Sequence, residues 1–204
     1  MTMIDLSKYL SKFSETFPGE AKENPWTITQ RLDNLLSAKF KTLQADYFIK
    51  DNIAIHISAK IEEGVIIKGP AIISQNCFIA AHAYLRGGVF IGDGVTIGPG
   101  CEIKTSIILA NSALAHFNFA GDSLIGSFVN MEAGSVIANH YNEREQKEIT
   151  VFIDGKSILT GSHKFGALIG DHTKIGANAV LSPGTILAPR TIVKRLALVE
   201  QSNS

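Results

Sequence analysis

Arg86, Lys104 and His116 are residues whose types and spacing could do chemistry on a small charged molecule. Arg86 and Lys104 are 18 residues apart, which stacks them on adjacent coils, about 4.8 Å apart, in the repeating fold described below. Two cations in that register repel each other unless an anion lies between them, although two solvated side chains that splay apart are an equally good interpretation. His116 follows 12 residues after Lys104, and a histidine can accept a proton near neutral pH. A lone histidine is more often structural, but His116 is accompanied by Arg86 and Lys104.

The elements that must position these residues repeat every six positions. An aliphatic residue recurs at this spacing from Ile55 through Ile103 to Leu109, and a series of smaller apolar residues runs two positions earlier. Turns such as RGG, GDG and GPG fill the remaining positions. This period predicts an all-β fold, a β-helix of hexapeptide repeats with three short strands in each coil. An ordinary sandwich or barrel would instead show turn signals every ~8–12 residues.

Two irregularities interrupt the repeat before it resumes at Ile169. The first is a register slip, in which Leu109 and Ala115 keep the old count while Phe119 and Ile125 begin a new count displaced by two residues. The second is an insertion over residues 139–165, in which two apolar runs flank Asp154-Gly155 and predict a β-hairpin with a tight turn.

Residues 1–48 lack the period and instead show helical spacing, with Pro25 suited to an early helical position. We expect a small helical cap over the first coil, because an open coil end exposes unpaired strand edges. The predicted division of the chain is therefore a cap at 1–48, a β-helix at 49–195 with its insertion, and a tail at 196–204. Cys77 and Cys101 fall in the series of small residues, so they should point inward from different faces and stay unpaired.

Composition excludes several classes of partner. The chain has 19 Lys and Arg and 19 Asp and Glu residues, a balance that does not suggest nucleic acid or an acidic membrane. The N-terminus carries charges where a signal peptide would be apolar, and no apolar run approaches the ~18 residues of a membrane span, so we expect a cytoplasmic protein. His82 and His163 lack the spacing to other ligands that a zinc site needs, so no metal is expected.

Four stretches, YLRGG, CEIKTS, AHFNFAGDSLIGSFVNMEAGSVIAN and KFGALIGD, carry a resemblance to a known family. They resemble the left-handed β-helix acetyltransferase half of the bifunctional N-acetylglucosamine-1-phosphate uridylyltransferases, especially the archaeal-type sugar-1-phosphate nucleotidylyltransferases. The resemblance covers residues 50–195. It implies a left-handed parallel β-helix that transfers acetyl from acetyl-CoA to an amino-sugar 1-phosphate such as glucosamine-1-phosphate. It also implies a homotrimer with each active site built between two subunits.

The resemblance further implies a role for each candidate residue. His116 is the general base, Arg86 and Lys104 hold the sugar phosphate, and Asn130 and Asn139 line the sugar and acyl-donor site. Lys147 matches the loop lysine of the family. Coenzyme A is assigned to three residues of the C-terminal repeats, Ala177, Lys194 and Arg195.

Two departures keep alternatives open. The tyrosine that the family places three residues after the histidine is Phe119 here, so a ligand-binding hydroxyl is missing. The nucleotidylyltransferase domain is absent from the sequence, so a separate nucleotidylyltransferase is a further expected partner beside the amino-sugar phosphate. The alternatives are acyl transfer to a nucleotide-linked amino sugar, and a non-catalytic β-helix that serves as an assembly or ligand-binding subunit.

Overall fold

The computed structural model describes residues 3–201, and most of them form a parallel β-helix with three faces. Strands β7 (Tyr84–Ile91) and β9 (Glu102–Ile108) bend from face 2 onto face 3. Face 1 is a sheet of seven parallel strands: β3 Lys60–Ile61, β6 Phe78–Ile79, β8 Thr96–Ile97, β10 Ala113–Leu114, β13 Asn130–Met131, β18 Lys174–Ile175 and β21 Ile192–Val193.

The other two faces consist of the two parts of β7 and β9 together with shorter parallel strands. Face 2 adds β4 Ile66–Ile67, β11 Phe119–Gly121, β14 Val136–Ile137, β19 Val180–Leu181 and β22 Leu198–Val199. Face 3 adds β2 Ile53–His56, β5 Ala71–Ile73, β12 Leu124–Ile125, β17 Ala167–Ile169 and β20 Thr185–Leu187. These stacked coils confirm the predicted β-helix. Strand β22 lies in the segment predicted as a tail and pairs with β19.

The interior of the β-helix is an aliphatic core that follows the predicted period as far as Ile103. Cys77 and Cys101 point into this core and are unpaired, as predicted. Burial raises the pKa of the Cys77 thiol to about 11 and also raises the pKa of the Cys101 thiol.

The register slip was predicted between Ala115 and Phe119, and this position is wrong. The edge between faces 2 and 3 holds Gly87 and Gly88 in one coil but a single residue in each of the next two coils, Thr105 and then Asp122. Both single residues adopt a left-handed backbone conformation, with φ of 47°. Each shortened edge advances the register by one residue, which accounts for the total displacement of two.

The slip also changes which side chains face inward. Ile108, Leu114 and Ala120 lie in the interior of the β-helix, where the period had predicted Leu109, Ala115 and Phe119. Leu109 instead belongs to a second apolar cluster outside the coils, and Phe119 faces outward from face 2. The sequence does not separate these registers because both candidate positions are apolar.

The N-terminal segment is helical as predicted, but it does not lie over the open end of the first coil. It comprises a 3-10 helix at Leu6–Lys8, α1 at Phe13–Thr16, α2 at Pro25–Gln30 and α3 at Leu32–Phe40. Its apolar residues pack along face 3, whose outward positions are apolar as well, and together they form the second cluster. Strand β2, the outermost strand of face 3 in the first coil, is instead paired with β1 (Tyr47–Lys50), which runs antiparallel to it.

The insertion leaves the β-helix at Asn139 and returns at Phe165, whose N–H donates to the Asn139 carbonyl at 3.0 Å. Within it, β15 (Thr150–Ile153) and β16 (Lys156–Leu159) form the predicted antiparallel hairpin. Asp154 and Gly155 both have positive φ, as a type I′ turn requires. Ile149, Val151 and Phe165 pack into the second cluster, so the insertion and the N-terminal segment share one core.

Candidate active site

Arg86 and Lys104 are direct neighbours on adjacent coils of face 2, as their spacing predicts. Each cation has a carboxylate partner. Arg86 Nη2 lies 2.6 Å from Glu102 Oε1, and Lys104 Nζ lies 2.6 Å from Asp122 Oδ2. The idea that an anion must lie between the two cations is therefore corrected, because internal carboxylates already relieve their repulsion. A bound phosphate would therefore add negative charge to a cluster in which two carboxylates already pair with the two cations.

Asp122 organises the edge between faces 2 and 3, which we call the Asp122 edge and which includes Thr105, Asp122 and Asn139. The Asp122 side chain is only 9% exposed, and its Oδ2 accepts hydrogen bonds from Lys104 Nζ and Asn139 Nδ2. Its backbone N–H donates to the Lys104 carbonyl, and its own carbonyl accepts from Gly166 N–H where the insertion returns. Sequence reasoning missed Asp122, although the register slip was the signal that pointed to it.

Phe119 reaches the same group from the start of β11. A Cβ atom on Gly121 would lie 2.9 Å from Phe119 Cζ and 2.8 Å from Asn139 Nδ2, so the ring and the amide meet above this residue. Only glycine leaves room for that approach. Phe119 is half-buried, and its ring tip points toward the Asn139 side chain above Gly121.

His116 lies on the opposite edge of face 2, between faces 1 and 2, which we call the His116 edge. This edge stacks Pro99, His116, Ala133, Ala177 and Arg195 on successive coils, and Gly134 N–H donates to the His116 carbonyl at 2.8 Å. The His116 side chain is exposed. At about 4.8 Å per coil, the imidazole is two coils from Ala177 and three from Arg195.

Two of the predicted coenzyme A residues, Lys194 and Arg195, line a shallow depression of about 490 Å³ on face 1 beside this edge, and Ala177 lies on the edge itself. Asn130, Lys174, Lys194 and Arg195 are among its lining residues. Glu132 joins them, because it accepts hydrogen bonds from Arg195 Nε at 2.8 Å, Arg195 Nη2 at 2.9 Å and Ala177 N–H at 2.9 Å. The Arg195 and Ala177 hydrogen bonds lower the pKa of the Glu132 carboxyl below its ordinary value.

The structure therefore divides the candidate residues between the two edges of face 2. Asn130, Ala177, Lys194 and Arg195 gather near the His116 edge, whereas Arg86, Lys104, Phe119 and Asn139 gather at the Asp122 edge. Lys147 lies on the exposed part of the insertion, before β15. Within one chain, His116 is thus separated by the width of face 2 from the cations that it is expected to work with.

The sequence is similar to those of several bifunctional enzymes. The chain is 35% identical over 165 residues to a bifunctional sugar-1-phosphate nucleotidylyltransferase/acetyltransferase of Sulfurisphaera tokodaii, covering 78% of this chain and 41% of that protein. It is 32% identical over 218 residues to the bifunctional protein GlmU of Methanococcus vannielii, covering 97% of this chain and 50% of that protein. The chain thus spans half or less of these two relatives.

A relative of more similar length is the uncharacterized acetyltransferase YaiX of Escherichia coli, which is 31% identical over 87% of this chain and 80% of its own length. The chain belongs to the hexapeptide acetyltransferase family. Residues 67–164 of the chain also match the family model for the GMPPB C-terminal domain.

Among solved structures, the chain aligns with a hexapeptide transferase family protein from Anaplasma phagocytophilum, at a TM-score of 0.35 and 16% identity over 69% of this chain and 72% of that one. A variant of perosamine N-acetyltransferase from Caulobacter crescentus, in complex with CoA and GDP-perosamine, aligns at a TM-score of 0.34 and 13% identity over 85% of this chain and 69% of that one. Between residues 3 and 201, no helix of the chain is long and apolar enough to cross a membrane.

Proposed function

We propose that this protein is a cytoplasmic, homotrimeric N-acetyltransferase that moves acetyl from acetyl-CoA to an amino-sugar 1-phosphate, with glucosamine-1-phosphate as the first candidate. The observation that carries the proposal is the order of the candidate groups along the helix axis. Arg86 and Lys104 occupy coils before that of His116, whereas Ala177 and Arg195 occupy coils after it. An acceptor phosphate and a coenzyme would thus approach the histidine from opposite directions.

The trimer supplies what one chain lacks. A neighbouring subunit packed against face 2 would bring its His116 edge to the Asp122 edge of the first subunit. Face 3 is already covered by the N-terminal segment, while face 2 presents exposed apolar side chains at Ile66, Val180 and Leu198. An exposed apolar stripe of this kind supports packing between copies of the chain.

The chemistry then needs no metal and no covalent intermediate. The amine attacks the thioester carbon, His116 accepts the proton that the nitrogen loses, and the C–S bond breaks to release coenzyme A. Arg86 and Lys104 hold the phosphate through charge-assisted hydrogen bonds while each keeps its carboxylate partner.

Acyl transfer to a nucleotide-linked amino sugar is the second candidate, and Phe119 favours it. A phenyl ring beside Asn139 offers apolar contact in place of the hydroxyl that the family uses toward a sugar 1-phosphate. A nucleotide-linked acceptor would extend beyond the cations and could pack against this ring.

Release of coenzyme A from acetyl-CoA, measured with a panel of amino sugars, tests these functions. Each sugar is supplied free, as the 1-phosphate and as the nucleotide diphosphate derivative. We expect turnover with the 1-phosphate of glucosamine, at least tenfold faster than with the free sugar. Turnover confined to the nucleotide derivative would select the second candidate, and no turnover with any amino sugar would favour the non-catalytic β-helix.

A further inference from the structure

His140 is a second histidine at the candidate site, and neither the family resemblance nor the chemistry above assigns it a role. It follows Asn139 directly, where the insertion leaves the Asp122 edge, and its side chain is exposed. His140 Nδ1 lies 3.2 Å from Asn139 Oδ1. His140 therefore stands on the same edge as the Lys104 and Asn139 side chains that are expected to hold the acceptor.

The hydrogen bonds behind His140 indicate which of its nitrogens donates toward Asn139. The Lys104 ammonium can only donate, so the Asp122 oxygen that it contacts is an acceptor. Asn139 turns its amide NH₂ toward that same oxygen, which leaves its carbonyl oxygen facing His140. Because an amide oxygen only accepts, His140 Nδ1 is the donor in this contact, and in the neutral Nδ1–H tautomer the lone pair lies on Nε2.

A base at this position would accept a proton that the acceptor must lose before it can react. An amine flanked by electron-withdrawing groups, like an α-amino group with a pKa of about 7.7–8.0, is mostly an ammonium ion at neutral pH. Such an acceptor must lose two protons, one before the nitrogen can attack and one as the amide forms. His116 accounts for only one of them.

We propose that His140, oriented by Asp122 through Asn139, removes the first proton from the acceptor ammonium. His140 Nε2 takes that proton and gives it to solvent, and the neutral amine attacks the thioester carbon. The C–N bond forms, the C–S bond breaks, and the second proton passes to His116 and then to the departing thiolate. The inference rests on the proposed function, since it assumes an amine acceptor.

Kinetics of His140→Ala test the role directly. We expect kcat to fall about 10²-fold, the lower range for losing a proton-transfer group, with KM for the acceptor changed less than threefold. Added imidazole should restore part of the lost kcat in this variant. His163→Ala, which removes another exposed histidine of the insertion, is the matched control and should keep wild-type kinetics.

A second measurement is independent of activity. Long-range proton–nitrogen NMR correlations of His140 in the wild type should show the Nδ1–H tautomer, and Asp122→Asn should shift the tautomer toward a mixture. An Nε2–H tautomer in the wild type, or an unchanged kcat in His140→Ala, would overturn the role of His140 while leaving the acetyltransferase standing. A wild type that acetylates no amine would reject the proposed function together with this inference.

Discussion

The His116 side chain is exposed. The two shortened edges that displace the register lie elsewhere, at Thr105 and Asp122. The His116 ring can therefore be removed without disturbing the coil. We predict that His116→Ala keeps the fold and the oligomer of the wild type and lowers the acetylation rate by about 10²–10⁴. Steady-state rates and a melting curve check this, with His163→Ala as the control. Wild-type turnover in a well-folded His116→Ala protein would make this histidine structural.

Phe119 offers a sharper test of the acceptor, because its ring tip lies beside Asn139. A hydroxyl added in Phe119→Tyr would extend into the polar group at the Asp122 edge. A hydrogen bond of this kind contributes about 0.5–1.5 kcal/mol, and more toward a charged group, so KM for glucosamine-1-phosphate should fall roughly three- to thirtyfold. An acceptor without a phosphate there should show little change. A raised KM for the 1-phosphate, with good wild-type turnover of a nucleotide sugar, would promote the second candidate.

The two thiols should be inert in the folded protein. Cys77 and Cys101 are buried in the β-helix core, and burial raises the pKa of both, so little thiolate forms near neutral pH. At pH 8, a thiol reagent should label neither cysteine on the time scale of an enzyme assay. Unfolding in guanidinium should then expose both thiols of each chain. Rapid labelling of the native protein would show that the coils open.

At the scale of elements, the N-terminal segment and the insertion depend on one another through face 3. Trp26 is buried, and its ring meets Phe165 edge-on with centroids 5.8 Å apart. We predict that Trp26→Ala destabilises the protein by about 3–5 kcal/mol and increases proteolysis of residues 140–164. Chemical denaturation and limited proteolysis measure the two effects.

Trp26→Phe is the matched control for that substitution. The Trp26 indole N–H has no hydrogen-bond partner among the residues that the structure describes, so phenylalanine loses ring volume but no bond. We expect less than half the destabilisation of Trp26→Ala. Equal losses in the two variants, or an insertion that stays resistant to protease in Trp26→Ala, would contradict the shared core.

At the scale of the whole molecule, the proposed function predicts that a neighbouring subunit completes the site that one chain divides between two edges. Light scattering should give close to three times the 22.0 kDa chain mass at micromolar concentration. Val180→Glu, on the exposed apolar stripe of face 2, should shift the protein toward the monomer and abolish turnover. Ile57→Glu changes an exposed apolar residue outside face 2 and should do neither. A monomeric wild type that retains activity would remove the basis for this arrangement.

The β-helix and much of its detail could be predicted from the amino-acid order alone. The six-residue period placed the interior residues as far as Ile103, and Asp154-Gly155 identified the hairpin turn. The stacking of Arg86 on Lys104 followed from the same period. These features are local or strictly periodic, because strand alternation and coil length repeat whatever lies outside the coils.

Only the tertiary structure decided where the register slips, what covers face 3 and how the candidate site is divided. Leu109 and its neighbour Ile108 are both aliphatic, so a shift of one residue leaves the hydrophobic pattern unchanged. The sequence therefore cannot locate the shift. The position of Asp122 against Lys104 and Asn139 depends on two edges, each shortened by one residue. Contacts of that kind join successive coils, so their positions depend on the number of residues in every edge between them.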